Sequence, residues 1–593
     1  MTTYERVLLL EKKLKDIKRD ICCMQEGGCP NISADADNII ECRDDGLYVS
    51  GTDSFSDYVL YVDKQFDGVA SATITSTGIT STNAEYNAQL SSALVGSIEF
   101  PYPCIWSAQL EAKALTAVDG KKYTIKVIEG NVFTIGSPTL TENGDQFADA
   151  STNEEADIKV ANVAADLLAA SIGQHNITYI FGENSGIINI CKTYTIRLID
   201  LAITSDPWDT RIVGKGFFHW LYGSVEGFGC QLIRSADVVN LKLVFQGYKA
   251  LVNRFAGVTI EGFQEINIDF DYWWEYATQM NIYGTDDWVT AGREQPVCII
   301  NIRDRRYGID LFPGLPAGDP THFGGTHRMF QAYGGYYSIT YDRFLANEFS
   351  SQDGLLLRWQ SDCPQATNNT MIFHIKEFIH TYIGGAATVQ AGLLRILPSS
   401  TPAVNTNNRI EFNFGYVTSM GTFGDVTNNG LLFNMNNSVV VLNVSGLWTN
   451  TSSINSAINI GFSAVANVNN QQIFKGNYES TGGGLLVTAR GTGAVATANS
   501  IAFQFKNCEF IQKVALFPAM DFLSKQTNMN VFLDNVKIVN DGVTELISKD
   551  VTNAPMSIFS SNVWTNNATI SANLAIVGDA LKTNAMLGNV LLR

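Results

Sequence analysis

The densest run of chemistry-bearing side chains in this sequence is DFDYWWEYATQMNIYGTDDW, residues 269–288. It sets the carboxylates Asp269, Asp271, Glu275, Asp286 and Asp287 among the aromatics Tyr272, Trp273, Trp274, Tyr276, Tyr283 and Trp288. Paired carboxylates beside flat apolar faces are what cleavage of a glycosidic bond needs: one acid, one base or nucleophile, and platforms for sugar rings. The same residue types serve two quieter purposes. Tyr272, Trp273, Trp274 and Trp288 would hold a glycan or a partner without cleaving it, or the indoles would pack into a core or an inter-chain interface. Spacing leaves all three readings open, because it does not say whether any two carboxylates stand about 5–9 Å apart.

A second cluster, THFGGTHRMFQAYGGYY (321–337), holds His322, His327 and Arg328. The two histidines lack a third ligand at metal-binding spacing, so an aromatic, Gly-rich surface loop is the expectation. His374 and His380 lie six apart, which puts them on one face of an extended strand. Cys22, Cys23, Cys29 and Cys42 do not read as a zinc site, since two are adjacent and no His lies nearby. No G-x-x-x-x-G-K-(S/T), G-x-S-x-G, H-E-x-x-H or C-x-x-C occurs, and GTGAV (491–495) is an isolated Gly-rich turn. We expect no metal and no cofactor.

What must position these residues is a repeat. The segments IEFNFGY (410–416), VLNVSGL (441–447), IFKGNY (473–478), AFQFKNC (502–508), VFLDNV (531–536) and IFSSNV (558–563) are short, partly alternating apolar runs. They close on Gly415, Gly446, Asn477, Asn507, Asn535 and Asn562, and a recurrence of roughly 27–31 residues is that of a solenoid. Alternation makes a half-buried strand, and Gly or Asn tolerates the left-handed backbone of a corner. Sandwich strands would recur at much shorter spacing, about every 8–12 residues. Stacked Asn amides would hydrogen-bond along the ladder. Earlier strand-like runs (123–128, 131–136, 187–200, 238–245, 258–270, 298–304) look like less regular coils of the same body. A helical pattern at 160–171 interrupts them.

The expected fold is therefore mainly β: a right-handed parallel β-helix with an N-terminal coiled-coil helix. We expect a helix over 1–26, a small β-hairpin module over 27–60 and a Ser/Thr-rich linker or entry region over 61–100. The solenoid body would run over 101–570 with loop insertions around 269–337, and 571–593 would cap it or contact a subunit. At a strand spacing of about 4.8 Å the stack would be on the order of 75–90 Å tall.

Of the 593 residues only 17% are charged, 11% are aromatic and 14 are Pro, which suits a packed β-rich chain better than a disordered one. A net charge of −18 with no basic footprint argues against nucleic acid as a partner. No run approaches the ~18 apolar residues of a membrane helix. The apolar start VLLL (7–10) is short and followed by charges, so no signal peptide is expected. Residues 3–25 carry heptads, with Val7, Leu14 and Ile21 at one seam position and Leu10, Ile17 and Met24 at the other. Gly27-Gly28 separates this stretch from the rest of the chain, so we read an oligomerising or docking helix. The turn signal Asp44-Asp45-Gly46 lies between two short apolar runs and predicts a hairpin.

Around that hairpin, Ser33, Asp35, Asn38, Ile39, Asp45, Gly46, Leu47, Tyr48 and Val49 resemble a short module near the start of phage tail and fibre proteins. In those proteins a helix is followed by S-x-D-x-x-N-x-(I/L)…D-G-L-Y-V. The resemblance covers about 1–50 directly, where the N-terminal part resembles fibre-type proteins of crAss-like gut phages in particular, and the Asn-rich solenoid that follows is similar in kind to the bodies of phage fibres and tailspikes. It implies a virion subunit, a tail fibre or tailspike attaching the particle to its host. It further implies a homotrimer, joined through its N-terminus to other tail or collar proteins and meeting a host surface glycan. Two alternatives stay open: a polysaccharide-degrading tailspike, and a head or collar fibre without a receptor.

Overall fold

Strand Arg409–Ser419 shows how this sequence builds its coils. Ile410, Phe412 and Phe414 are buried in strict alternation, and then the pattern slips by one residue at Gly415-Tyr416 before Val417 and Ser419 turn inward. A slip of one would throw a flat strand's side chains to the wrong face. Here the strand turns a corner at that point, so both halves face one core. The same slip falls at Asp271-Tyr272, Arg303-Asp304, Asp342-Arg343, Lys376-Glu377 and Asp534-Asn535.

The structure, a computed structural model, describes the strands and corners between Ile40 and Thr583; residues 1–39 and 584–593 and longer links such as 136–177, 284–296, 309–326, 383–393 and 424–436 lie outside the described residues. The cornered strands stack into one 20-stranded sheet whose pairings are all parallel. A second, seven-stranded parallel sheet runs beside the middle coils and a four-stranded one beside the later coils. The chain alternates between them: Val258–Glu261 lies in the seven-stranded sheet, Glu265–Glu275 in the long one, Met280–Tyr283 in the seven-stranded sheet again, and Val297–Gly308 back in the long one. Each turn of the chain thus adds one layer to both sheets, which is the topology of a parallel solenoid. Register sets the layer length. Leu241 faces Ile266, a short layer, whereas Cys298 faces Tyr337 across a much longer one.

All six sequence repeats fall in the long sheet, one per successive layer. The expected boundaries shift at both ends. Val59–Val62 pairs in parallel with Thr124–Val127, so the sheet begins inside the expected hairpin module and not near 101. The expected linker contains an antiparallel hairpin, Ala72–Thr75 with Gly78–Ser81. Ile105, Ala108, Glu111, Ala112 and Leu115 are helical, and Ala108 and Ala112 are fully buried at helical spacing, so this stretch of the expected β-body packs as helix. In the tail, Ala575–Gly578 and Lys582–Thr583 pair in parallel on Ser557–Thr565 and extend the sheet beyond 570. Residues 269–275 are sheet and not loop insertion. Near the N-terminus, Ile40–Arg43 pairs antiparallel with Gly46–Val49, the hairpin expected there. The heptad of residues 3–25 and the helical pattern at 160–171 lie outside the described residues.

The core is an aromatic and aliphatic column. Phe218, Phe245 and Phe270 meet edge to face in successive layers, at 4.7 and 4.4 Å between centroids. Phe373 stacks on Phe412 at 4.7 Å, and Phe474 on Phe505 at 5.0 Å. Such pairs add about 0.5–1.5 kcal/mol each beyond area burial. At the end of the long strands a buried polar column satisfies the backbone as it leaves the sheet. His380 Nδ1 accepts from the Gly421 N–H, and the Ser480 hydroxyl and Gln512 amide both donate to the Gly484 carbonyl. His374 is exposed and His380 buried, so the two do not share a face: the slip at Lys376-Glu377 stands between them. Burial pushes the Cys298 and Cys508 thiols up to about 12, as expected of packing residues with little thiolate character.

Candidate functional site

The corner of the middle coils collects charge. Asp269 and Asp271 project outward from Glu265–Glu275, Asp271 at the corner itself, and the next layer brings Arg303 alongside. Arg303 Nη1 donates to Asp269 Oδ1 at 3.1 Å and to Asp271 Oδ1 at 2.7 Å. Toward the N-terminus the same corner column holds Gln246, Lys215 and Glu183, with Lys215 Nζ 3.5 Å from Glu183 Oε2. Together with Asn184 they line an open groove of about 230 Å³. Gly214 also lines it, at φ +112°, where a Cβ would stand 2.1 Å from the Phe181 carbonyl oxygen. Only glycine fits there, because the left-handed backbone and the close approach act together.

Beside the groove, the strand halves that come after the corner carry an aromatic and cationic face. The Tyr272 hydroxyl lies 3.1 Å from His219 Nε2, and the His219 ring stacks on Phe217 at 4.4 Å. Burial, reinforced by the charge of Lys249, pushes the His219 imidazolium down to about 4. Burial and then Asp271 push the Tyr272 phenol up to about 12, while burial lowers Lys249. Trp274 donates its Nε1–H to Asp304 at 3.1 Å and lies under Arg306 (4.4 Å) and Lys249 (5.5 Å), both placed for cation–π attraction. Arg306 Nε also donates to Asp304, at 2.7 Å.

The other half of the constellation faces inward. Trp273 and Glu275 are fully buried. Trp273 Nε1–H donates to Glu275 Oε1 at 2.5 Å, and Arg305, buried from the next layer, donates to Glu275 Oε2 at 2.7 Å and to the Trp273 carbonyl at 3.3 Å. Arg305 also lies over the Trp273 and Phe344 rings. This ion pair is closed to solvent on both sides.

The residues named from the sequence at 269–288 thus divide by face. Asp269, Asp271, Tyr272 and Trp274 have partners on the outer side, whereas Trp273 and Glu275 lie in the core. Asp286, Asp287 and Trp288, like His322, lie outside the described residues; His327 lies in His327–Phe330 of the seven-stranded sheet. Asp269 and Asp271 converge on one guanidinium nitrogen from the same strand, a pair bridged by a cation and not an acid facing a base across a bond to be broken. Among the described residues no three His, Cys, Asp or Glu gather as a metal site. Sequence reading missed Glu183, Lys215, Arg303, His219, Lys249 and Arg306. A signal existed: Lys215 follows Glu183 by 32 residues and Arg303 follows Asp271 by 32, a charge reversal at one coil's offset.

Compared with known proteins, the chain matches no family model, and neither curated proteins nor solved structures show significant similarity to it.

Proposed function

We propose that this chain is the adhesion subunit of a phage virion, a tail fibre or tailspike that attaches the particle to the host surface. The observation that carries the reading is the parallel stack from Val59 to Thr583, one continuous sheet in which every pairing is parallel. Such a body holds surface groups at fixed spacing along an axis and leaves little of itself free to move. In finer terms we propose a right-handed parallel β-helix, joined through a coiled coil of Val7, Leu10, Leu14, Ile17, Ile21 and Met24 into a homotrimer docked on tail or collar proteins. Binding is favoured over cleavage, because Glu275 is sealed and Asp269 and Asp271 share Arg303.

Gold-labelled antibody against the chain, imaged on intact particles, tests the placement. Label at the tail is the expected result; particles without label would remove the virion reading, and label confined to the head would leave a fibre without this role. Equilibrium sedimentation of the full chain should give three times the chain mass, falling to the monomer in a Leu10→Asp/Ile17→Asp variant. Incubating the chain with host capsule should release no new reducing ends, and their appearance would move the protein to the polysaccharide-degrading class.

A further inference from the structure

We propose that the corner groove of the middle coils is a binding subsite for one uncharged, hydroxyl-rich sugar ring, with Asp271, Gln246 and Arg303 as its main contacts. The inference deepens the attachment reading and rests on it for the source of the ligand. Size comes first. At about 230 Å³ the groove lies below the ~300–1,000 Å³ of pockets that take drug-sized molecules. It has room for one small ring of a chain whose remainder would run over the open surface.

The lining then selects the chemistry. Asp269, Asp271 and Glu183 offer acceptors, Lys215 and Arg303 offer donors, and the Asn184 and Gln246 amides offer both. Every sugar hydroxyl is itself donor and acceptor, so a ring of them can meet such a wall at several points. The charges give an ion little hold, because Lys215 is already paired with Glu183 and Arg303 with Asp269 and Asp271, so the lining recognises by hydrogen bonding more than by net charge. The ion pairs that now span the groove are also weakly held: Arg303 and Asp271 side chains are 56% and 61% exposed, and Lys215 and Glu183 are 76% and 57% exposed. Exposed pairs of this kind contribute little net stability, so their donors and acceptors can be shared with a ligand at low cost.

The test uses the full-length chain and ligand-observed saturation-transfer NMR. The probes are the methyl glycosides of glucose, galactose, mannose and N-acetylglucosamine, with glucuronic acid and glucosamine as charged counterparts. At least one neutral glycoside should receive saturation, and Gln246→Ala and Asp271→Ala should each weaken its binding about tenfold or more. Lys537→Ala, on a distant coil, should leave binding unchanged, and melting curves should show all three variants folded. The proposal is overturned if no neutral glycoside is saturated, if the charged sugars bind more tightly, or if both groove variants bind as the wild type does. Cell adhesion separates the two levels. Groove variants that lose glycoside binding but still coat host cells sink the groove's role and leave attachment standing. A wild-type chain that binds glycoside yet never coats cells does the reverse.

Discussion

The corner of this solenoid is made by two different chemistries. In the middle coils it is made of charges that meet across one layer, as in Glu183–Lys215 at 3.5 Å, Asp271–Arg303 at 2.7 Å and Arg343–Glu377 at 3.3 Å. In the later coils it is made of Asn in left-handed backbone, with Asn507, Asn535 and Asn562 at φ 52°, 55° and 53°. Asn535 donates to Asn507 and Asn562 to Asn535, each at 2.8 Å, and the ladder ends where Trp564 donates to Asn562 at 3.1 Å. The Asn ladder directs its hydrogen-bonding capacity at itself. The charged corner holds exposed ion pairs whose partners can be exchanged. One region is therefore built to stack, and the other can both stack and meet a ligand.

Five measurements put this contrast at risk, beginning with the strongest effect. Glu275→Ala leaves Arg305 as an unpaired charge in the core and should cost roughly 3–5 kcal/mol by denaturant unfolding. Replacing both partners by Glu275→Leu and Arg305→Met should recover most of that loss. An unchanged midpoint for Glu275→Ala would mean that the middle core is wetter than its burial says.

Acid should be felt next, through His219 in the middle coils. The His219 pKa in the folded chain is pushed from 6.5 to about 4 by burial and by Lys249. Its contribution is therefore fully present above pH 6.5 and is lost as pH falls through about 4. The melting temperature of the wild type should drop across that window, and His219→Phe should flatten the drop. A slope identical in both chains would assign the acid sensitivity elsewhere.

Gly214→Ala should cost about 1–3 kcal/mol, from left-handed strain and from the contact with the Phe181 carbonyl, read as a lowered melting temperature. In the Asn corner, Asn535→Ala should cost about 1–2 kcal/mol through the left-handed backbone and its ladder bonds. Asn535→Gly, which loses the ladder bonds but relieves the backbone strain, should cost less; equal costs would mean that the ladder bonds dominate. The smallest effect belongs to Arg303→Ala. The pair is exposed, so stability should move by no more than about 1 kcal/mol. A larger loss would make the charged corner as structural as the Asn ladder.

Much of the fold was legible because it is periodic. The six runs from 410 to 563 alternate and close on Gly or Asn at a nearly constant interval, and each supplies one layer of the long sheet. The corner was read in outline and amended in detail. At Gly415 the requirement is space and not left-handed backbone, since a Cβ would stand 2.2 Å from the Lys376 carbonyl oxygen. In the layer of Asn477 the left-handed residue is its neighbour Gly476, at φ +116°. A second Asn column was missed, where Asn369 N and Nδ2 donate to Asn408 Oδ1 and the Asn408 N–H donates to Ser438. Its trace in the sequence is the doublet at 368–369 and again at 407–408, with 437–438 as its Asn-Ser echo.

Within 269–275 the sequence leaves open which side chains face the core and which face outward. Trp273 and Trp274 are adjacent in one strand, so alternation alone says that they point opposite ways. Which of them points inward depends on the one-residue slip at Asp271-Tyr272, and nothing local to the sequence announces that slip. The strand period is written in the chain itself because it arises from near neighbours along it, and the Gly or Asn of the later corners is legible because it recurs at a nearly constant interval. That Glu275 is sealed against Arg305 while Asp271 meets Arg303 in a groove emerges only in three dimensions. Each pairing joins residues one coil apart, and coil lengths that differ as much as those joining Leu241 to Ile266 and Cys298 to Tyr337 are set only when the layers stack.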